Sequence, residues 1–351
     1  MTTSLPILLS FFVSLSLITI LQPLAHSIGL VDKPNQRKQH QGHIPLVGGL
    51  AIYTSLMVGI GFMHLFFGFE FTRAIEALMA GCFFITLIGA IDDKYDLSVK
   101  IRIVAQVGAA LLMALVANRQ ISDLGNLFCL GVIELGVIAV PFTVLAVMAA
   151  INAYNMVDGI DGLIGGMTLS TFTGLGVLFW LSDSHHFAIL CFVIVSVVLP
   201  YLLFNLSVFG NKRKIFMGDA GSMLIGYLTI WLLCIGVDAN EPVFRPVVAL
   251  WIVALPLVDM VAIMLRRIKK GQSPFKPDRD HLHHIFMRAG LSSRQTLAVM
   301  TIASFVITGL GVTLELLKTP EPVILFMFLG LFASYYLVIA RVWRIVSWLK
   351  R

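Results

Sequence analysis

Asp92 and Asp93 stand side by side at the end of one apolar run, and Asp158, Asp161 and Asp219 mark the ends of others, each beside a glycine. Adjacent carboxylates repel unless a cation lies between or beside them. A hard divalent ion with oxygen ligands is the usual partner, and Mg²⁺ typically takes one or two carboxylates together with substrate phosphates. An Asp-Asp pair alone equally well caps the entry to a loop. The recurrence of carboxylates at other run ends favours metal-assisted chemistry on a phosphate.

Four more polar clusters interrupt the apolar background. In Asn152-Ala153-Tyr154-Asn155-Met156-Val157-Asp158-Gly159-Ile160-Asp161-Gly162, Asp158 and Asp161 would share a face of a helix. Gly159 and Gly162 weaken that helix and predict an irregular start to the apolar stretch that follows, where backbone can approach a ligand. In Lys212-Arg213-Lys214-Ile215-Phe216-Met217-Gly218-Asp219, an aromatic ring lies three positions before a carboxylate. That spacing suits a planar base stacked beside a bound metal, although Phe216 alone would pass for a membrane-interface aromatic. His281, His283 and His284 lack the H-E-x-x-H spacing of helical zinc sites. With Arg279 they read better as an anion-binding loop. The first cluster, from Asp32 and Lys33 to His40, leads into Pro45 and Gly48-Gly49. Asp259 lies about two turns inside an apolar stretch. Such an acid is either functional or paired with a neighbouring helix, and its type and place do not decide between the two.

The elements that must position these residues span a membrane. Of 351 residues 58% are apolar and 13% charged, against 45–50% and about a quarter in soluble domains, and the mean hydropathy is +0.92. This excludes a soluble enzyme, a disordered chain and a fibre. Eleven stretches approach the roughly 20 apolar residues a bilayer requires: about 4–25, 46–69, 74–91, 101–118, 127–151, 159–182, 186–209, 219–237, 246–265, 295–317 and 321–341. The first lacks a preceding basic residue and a cleavage pattern, and reads as a span rather than a signal peptide. The expected fold is all-α and polytopic, one membrane domain over 1–351, with its largest hydrophilic loop at 266–294. Loops after the odd-numbered stretches, with the C-terminal tail, carry 21 of the 25 lysines and arginines; Arg73, Arg119, Arg245 and Lys318 are the rest. Basic residues stay cytoplasmic, which predicts a periplasmic N-terminus, a cytoplasmic C-terminus and all five clusters on the cytoplasmic face. In a membrane chain the +6 net charge reflects this partition and not a nucleic-acid partner. Cys82, Cys129, Cys191 and Cys234 form no C-x-x-C pair and read as small hydrophobes.

Together, Asp92-Asp93, the N-A-x-N-x-x-D-G-x-D-G run, F-x-G-D-x-G-S and the histidine-rich last loop resemble the polyprenyl-phosphate N-acetylhexosamine-1-phosphate transferase superfamily. Gly29-Leu30-Val31-Asp32-Lys33-Pro34 through Pro45-Leu46-Val47-Gly48-Gly49 resembles its WecA branch, as does Ser273-Pro274-Phe275-Lys276-Pro277-Asp278-Arg279 before Asp280-His281-Leu282-His283-His284. The MraY branch typically reads T-P-T-M-G-G where this chain has Ile44-Pro45-Leu46-Val47-Gly48-Gly49. The resemblance implies a bacterial inner-membrane enzyme that transfers N-acetylglucosamine 1-phosphate from UDP-GlcNAc to undecaprenyl phosphate, a membrane lipid, with loss of UMP. It starts a surface glycan such as O-antigen or enterobacterial common antigen. The implied cofactor is Mg²⁺, with Mn²⁺ as a substitute, and the implied assembly a homodimer. By motif, Asp219 corresponds to the metal ligand, and Asp92 and Asp93 to the catalytic pair, also at the metal. Phe216 and Asp161 correspond to uridine contacts and Asn155 to a diphosphate contact. Arg279 and His281 lie where sugar and phosphate are recognised, and Asp158, His283, His284, Arg102 and Lys33 complete the expected substrate contacts.

Two other readings compete. UDP-N-acetylfucosamine or UDP-MurNAc-pentapeptide would serve the same chemistry. A secondary transporter would place its site near the midplane between repeated halves, whereas here the carboxylates gather at one face and no motif recurs.

Overall fold

The computed structural model describes residues 4–33, 42–273 and 281–340. Its helices run in chain order as α1 (Ser4–Ile28), α2 (Gly48–Phe67), α3 (Arg73–Tyr95), α4 (Val99–Leu111), α5 (Ala139–Val157), α6 (Leu163–Leu181) and α7 (His185–Asn205). They continue as α8 (Gly218–Gly236), α9 (Pro246–Ile252), α10 (Ala254–Lys269), α11 (Leu282–Arg288), α12 (Ser293–Leu316) and α13 (Glu321–Ala340). A short antiparallel hairpin of β1 (Val31–Asp32) and β2 (Ile44–Pro45) joins α1 to α2. Among the described residues ten helices are long and apolar enough to cross a membrane, or up to eleven spans if the bent pair α9–α10 counts as one.

The helix α8 lies at the centre, with 89% of its most apolar window buried, while α1 and α13 are peripheral at 22% and 17%. It packs against α2, α3 and α5. Lipid tails are as apolar as leucine, so helices associate in a bilayer by close backbone approach over small residues. Here Gly49 of α2 lies on Gly221 of α8, so that a Cβ at Gly49 would come within 2.2 Å of the Gly221 nitrogen.

The expected ninth span is broken, with α9 and α10 meeting at 83°. Pro256, in the first turn of α10, has no N–H to offer the carbonyl one turn back. That carbonyl, of Ile252, instead faces the hydroxyls of Thr171 at 3.3 Å and Thr308 at 3.5 Å. The fifth span also differs from the expected 127–151. Its helix begins at Ala139 and continues to Val157, because Asn152 and Asn155 find partners inside the bundle. Residues before it form a loop closed by a bridge between Asp123 and Glu134. The cysteine reading holds for Cys82, Cys191 and Cys234, which are buried; Cys129 lies in that loop and is exposed.

Candidate active site

The ends of α3 and α5 and the start of α8 converge. Three backbone hydrogen bonds set where α8 begins: Phe216 N–H donates to the Pro45 carbonyl (2.9 Å), Gly48 N–H to Phe216 (3.0 Å) and Gly49 N–H to Met217 (3.0 Å). At the first residue of α8 the chain turns through Gly218 at φ +71°, and a Cβ there would lie 2.3 Å from Oδ2 of Asp93. That space lets the next two amides reach the Asp93 carboxylate: Asp219 N–H donates at 2.7 Å and Ala220 N–H at 3.2 Å. Free N–H groups at a helix start attract negative charge, and Asp93 fills this role from another helix. Both its oxygens are engaged in locking α3 to α8.

Asp92, 4% exposed, accepts from the Leu97 backbone N–H at 2.7 Å and from Arg102 at 3.2 Å. Its carboxylate abuts that of Asp219. Asn155, on the last turn of α5, donates to Asp219 and to the Ser222 hydroxyl at 3.0 Å. Asn152 instead ties α5 to α4 through Gln106 at 2.8 Å. Two carboxylates thus face each other, and Arg102 balances the charge of Asp92. Among the described residues no three His, Cys, Asp or Glu side chains form a ready-made metal cage. The arrangement fits Mg²⁺, which seldom has an all-protein cage and completes its shell with water and substrate phosphates.

A second group of side chains adjoins the first. Instead of the irregular start to the sixth span expected at 159, the chain makes a turn and α6 begins at Leu163; the turn contains Asp158, which is exposed, and Gly162, at φ +79°. Lys214 reaches Asp161 at 2.6 Å, with its ammonium 5.2 Å from the centre of the Phe216 ring. Asn205, buried at the end of α7, holds both segments: it accepts from Gly162 N–H at 2.6 Å and donates to the Ile215 carbonyl at 2.9 Å. Sequence reasoning missed Asn205 and Ser222 and left Lys214 outside the candidate set. A polar residue closing an otherwise apolar helix was the available signal for Asn205.

The histidine loop meets this turn. His283 is 1% exposed and lies on Gly159, where an added Cβ would approach its Nε2 to 2.2 Å. Its ring is stacked with that of His281, centroids 5.6 Å apart, and tilted against His284 at 4.2 Å. Burial, and then the neighbouring His284 and His281, push its imidazole down to about 3, so it is neutral at pH 7. Both its ring nitrogens are buried without a hydrogen-bond partner among the described residues, an arrangement that costs free energy unless a ligand or water supplies one. Lys33 is exposed at the edge of the hairpin. Arg279 lies outside the described residues.

The model of glycosyl transferase family 4 matches residues 75–237, the segment carrying Asp92, Asp93, Asn155, Asp161, Phe216 and Asp219. An undecaprenyl-phosphate alpha-N-acetylglucosaminyl 1-phosphate transferase from Salmonella typhi is 42% identical over 99% of this chain and 94% of its own length. The chain belongs to this family. Proteins of the same name from Yersinia pestis and Haemophilus influenzae are 42% and 41% identical, over 100% and 99% of this chain and 95% and 97% of their own lengths. The likeness to these family 4 relatives therefore extends past the matched segment to the histidine loop and Asp259.

Proposed function

We propose that this family 4 transferase moves N-acetylglucosamine 1-phosphate from UDP-GlcNAc to undecaprenyl phosphate, releasing UMP and leaving undecaprenyl-diphosphate-GlcNAc. The observation that carries the reading is the abutting Asp92–Asp219 pair beside the Asp161–Lys214–Phe216 group. The names of the relatives point to the same reaction. Asp219 and Asp92 would hold Mg²⁺, which when bound neutralises diphosphate charge. Asp93 fixes α3 against the start of α8, and Asn155 orients Asp219. Phe216, Asp161 and Lys214 receive the uridine end, and His281 with Arg279 the phosphates and sugar.

The acceptor is a phosphate monoester, whose second pKa is near 6, so its oxygen is already largely ionised at pH 7. A general base gains little there. Positioning the two phosphates and neutralising their charge dominate, as in other phosphoryl transfers. The acceptor oxygen forms a bond to the sugar-linked phosphorus as the bond from that phosphorus to the UMP oxygen breaks. Away from the site, α5 and the broken span line an open apolar cavity of about 210 Å³, with Ala149, Ala153, Tyr154, Leu250, Val253 and Leu257 on its walls, which suits isoprenoid units.

A transfer assay with several labelled UDP-sugars tests the donor. UDP-GlcNAc is expected to label the lipid, while UDP-N-acetylfucosamine and UDP-MurNAc-pentapeptide leave it unlabelled; preference for either of those would replace the reading. Phe216→Ala is expected to raise KM for UDP-GlcNAc by roughly 5- to 150-fold, the equivalent of the 1–3 kcal/mol that base stacking contributes in nucleic-acid binding. The value of kcat should hold, because uracil is remote from the reacting phosphorus and its contact is equal in ground and transition states. An unchanged KM would make Phe216 a plain interface aromatic.

The same reading places the site on the cytoplasmic face of the bacterial inner membrane, where nucleotide sugars are supplied and a lipid-linked O-antigen or enterobacterial common antigen would start. Its basis is the one-sided distribution of 21 of 25 lysines and arginines. In intact cells an impermeant thiol reagent should label native Cys129 and, in a Cys129→Ser background, Ala239→Cys, both exposed at the opposite end from the site. Asn211→Cys and Ser273→Cys, also exposed, should react only after the cells are opened. Labelling of Asn211→Cys from outside would invert the topology and remove the nucleotide-sugar supply.

A further inference from the structure

Asp259 has a place in this machinery that its position within a span did not reveal. It lies on α10, 1% exposed, where a carboxylate is expensive without partners. His281, at the N-terminal cap of α11, has its Nδ1 2.9 Å from Oδ2 of Asp259. The other oxygen, Oδ1, accepts from the Leu282 backbone N–H at 3.2 Å and from the Tyr335 hydroxyl of α13 at 2.5 Å. An ionised carboxylate only accepts. With Oδ1 occupied by two donors, Oδ2 requires an N–H at Nδ1 of His281, and the partner of one ring nitrogen decides the role of the other. Nε2 is left as the nitrogen for a ligand.

We infer that Asp259 is a positioning residue for the transfer reaction, holding the His281 ring so that Nε2 meets the donor's phosphates, with Tyr335 tying the last span to the pair. The inference rests on the proposed placement of His281 at those phosphates. A ring held with its N–H at Nδ1 can place a second N–H, at Nε2, against the phosphates, and Asp259 supplies the opposite charge behind it.

Asp259→Asn separates this role from a packing role. The amide has nearly the shape of the carboxylate, and its oxygen stays on the side of Leu282 and Tyr335, where both partners donate. Its NH₂ then faces Nδ1 and forces that nitrogen to accept. The ring can no longer carry both protons, and the loss of its charge and of its anchored orientation at the phosphates should lower kcat/KM roughly tenfold. In ¹⁵N spectra of histidine-labelled protein in detergent, the Nδ1 signal of His281 should move from the protonated to the unprotonated range.

His281→Asn provides the control, because its amide nitrogen replaces Nδ1 as the donor to Asp259 while Nε2 is deleted. Its kcat/KM should fall at least as far as that of Asp259→Asn, and the double variant should be no worse than His281→Asn alone. Independent effects would instead multiply. Multiplying effects, or an Nδ1 that stays protonated in Asp259→Asn, would overturn the inference and leave the site reading intact. Full activity in His281→Asn would remove His281 from the phosphates and the inference with it. If Asp259→Asn does not fold, Tyr335→Phe takes its place in the same cycle. It is expected to lose roughly two- to fivefold in the native background and nothing further beside His281→Asn, and an equal loss in both backgrounds would overturn the inference.

Discussion

Asp219→Asn is expected to abolish turnover while the protein still folds and inserts. The hydrogen bonds that define the start of α8 use the backbone amides of Asp219 and Ala220, which the substitution leaves untouched. The side-chain oxygen of the new residue still accepts from Asn155, its partner in the native chain. What is lost is one negative charge in a pair whose proposed task is to hold a divalent cation between phosphates. Because Asp92 and Asp219 abut, removing one of two like charges relieves repulsion, so the metal-free variant should melt no lower than the native protein. That combination separates a ligand from a structural residue, whose loss lowers activity and stability together. Retention of more than about a tenth of the native rate, a barrier increase below about 1.4 kcal/mol, would show that Asp219 is not a principal ligand.

Stripping divalent cations should have an effect of the same size. In EDTA-treated, metal-free protein the diphosphate would face the abutting carboxylates of Asp92 and Asp219 with no divalent cation between them, and turnover should stop. Added Mg²⁺ or Mn²⁺ should restore it, while Asp219→Asn should stay inactive at any concentration of either ion. Binding linkage adds a second reading of the same event, since a ligand bound only by the folded protein raises its melting temperature. UDP-GlcNAc with Mg²⁺ should raise it more than the two separate shifts combined, because each completes the other's site. Full turnover in the metal-free protein would contradict the metal assignment and leave Asp92 and Asp219 without the role given them.

Much of this site was legible in the chain, for reasons that differ between its parts. Apolar stretch lengths report the bilayer directly, so the spans emerge with errors mainly at their ends. The end of α5 is an instructive miss. Asn152 and Asn155 look like the exit into a loop, yet the helix continues through both to Val157, because Gln106, Ser222 and Asp219 satisfy them inside the bundle. The irregularity at Gly159–Gly162 was readable because glycine acts locally, although it is a turn before α6 and not a loosened first turn of it. The break between α9 and α10 was not, because it depends on hydroxyls contributed by α6 and α12 to one freed carbonyl. The same limit applies to Asp259, whose partners lie 22, 23 and 76 positions away and leave no local periodic trace. Asp93 shows a subtler difference. Its neighbour predicts a shared cation site, but its own oxygens serve the amides of α8.

The central claim, that a phosphoryl group and not a bare sugar is transferred, is tested most directly with UDP-GlcNAc labelled at the sugar-linked phosphorus. Purified protein in detergent would be given this donor, undecaprenyl phosphate and Mg²⁺, and both products counted. The expected result is that the phosphorus label moves into the lipid and unlabelled UMP appears one for one with it. Label remaining on the nucleotide as UDP, with or without sugar on the lipid, would contradict the account.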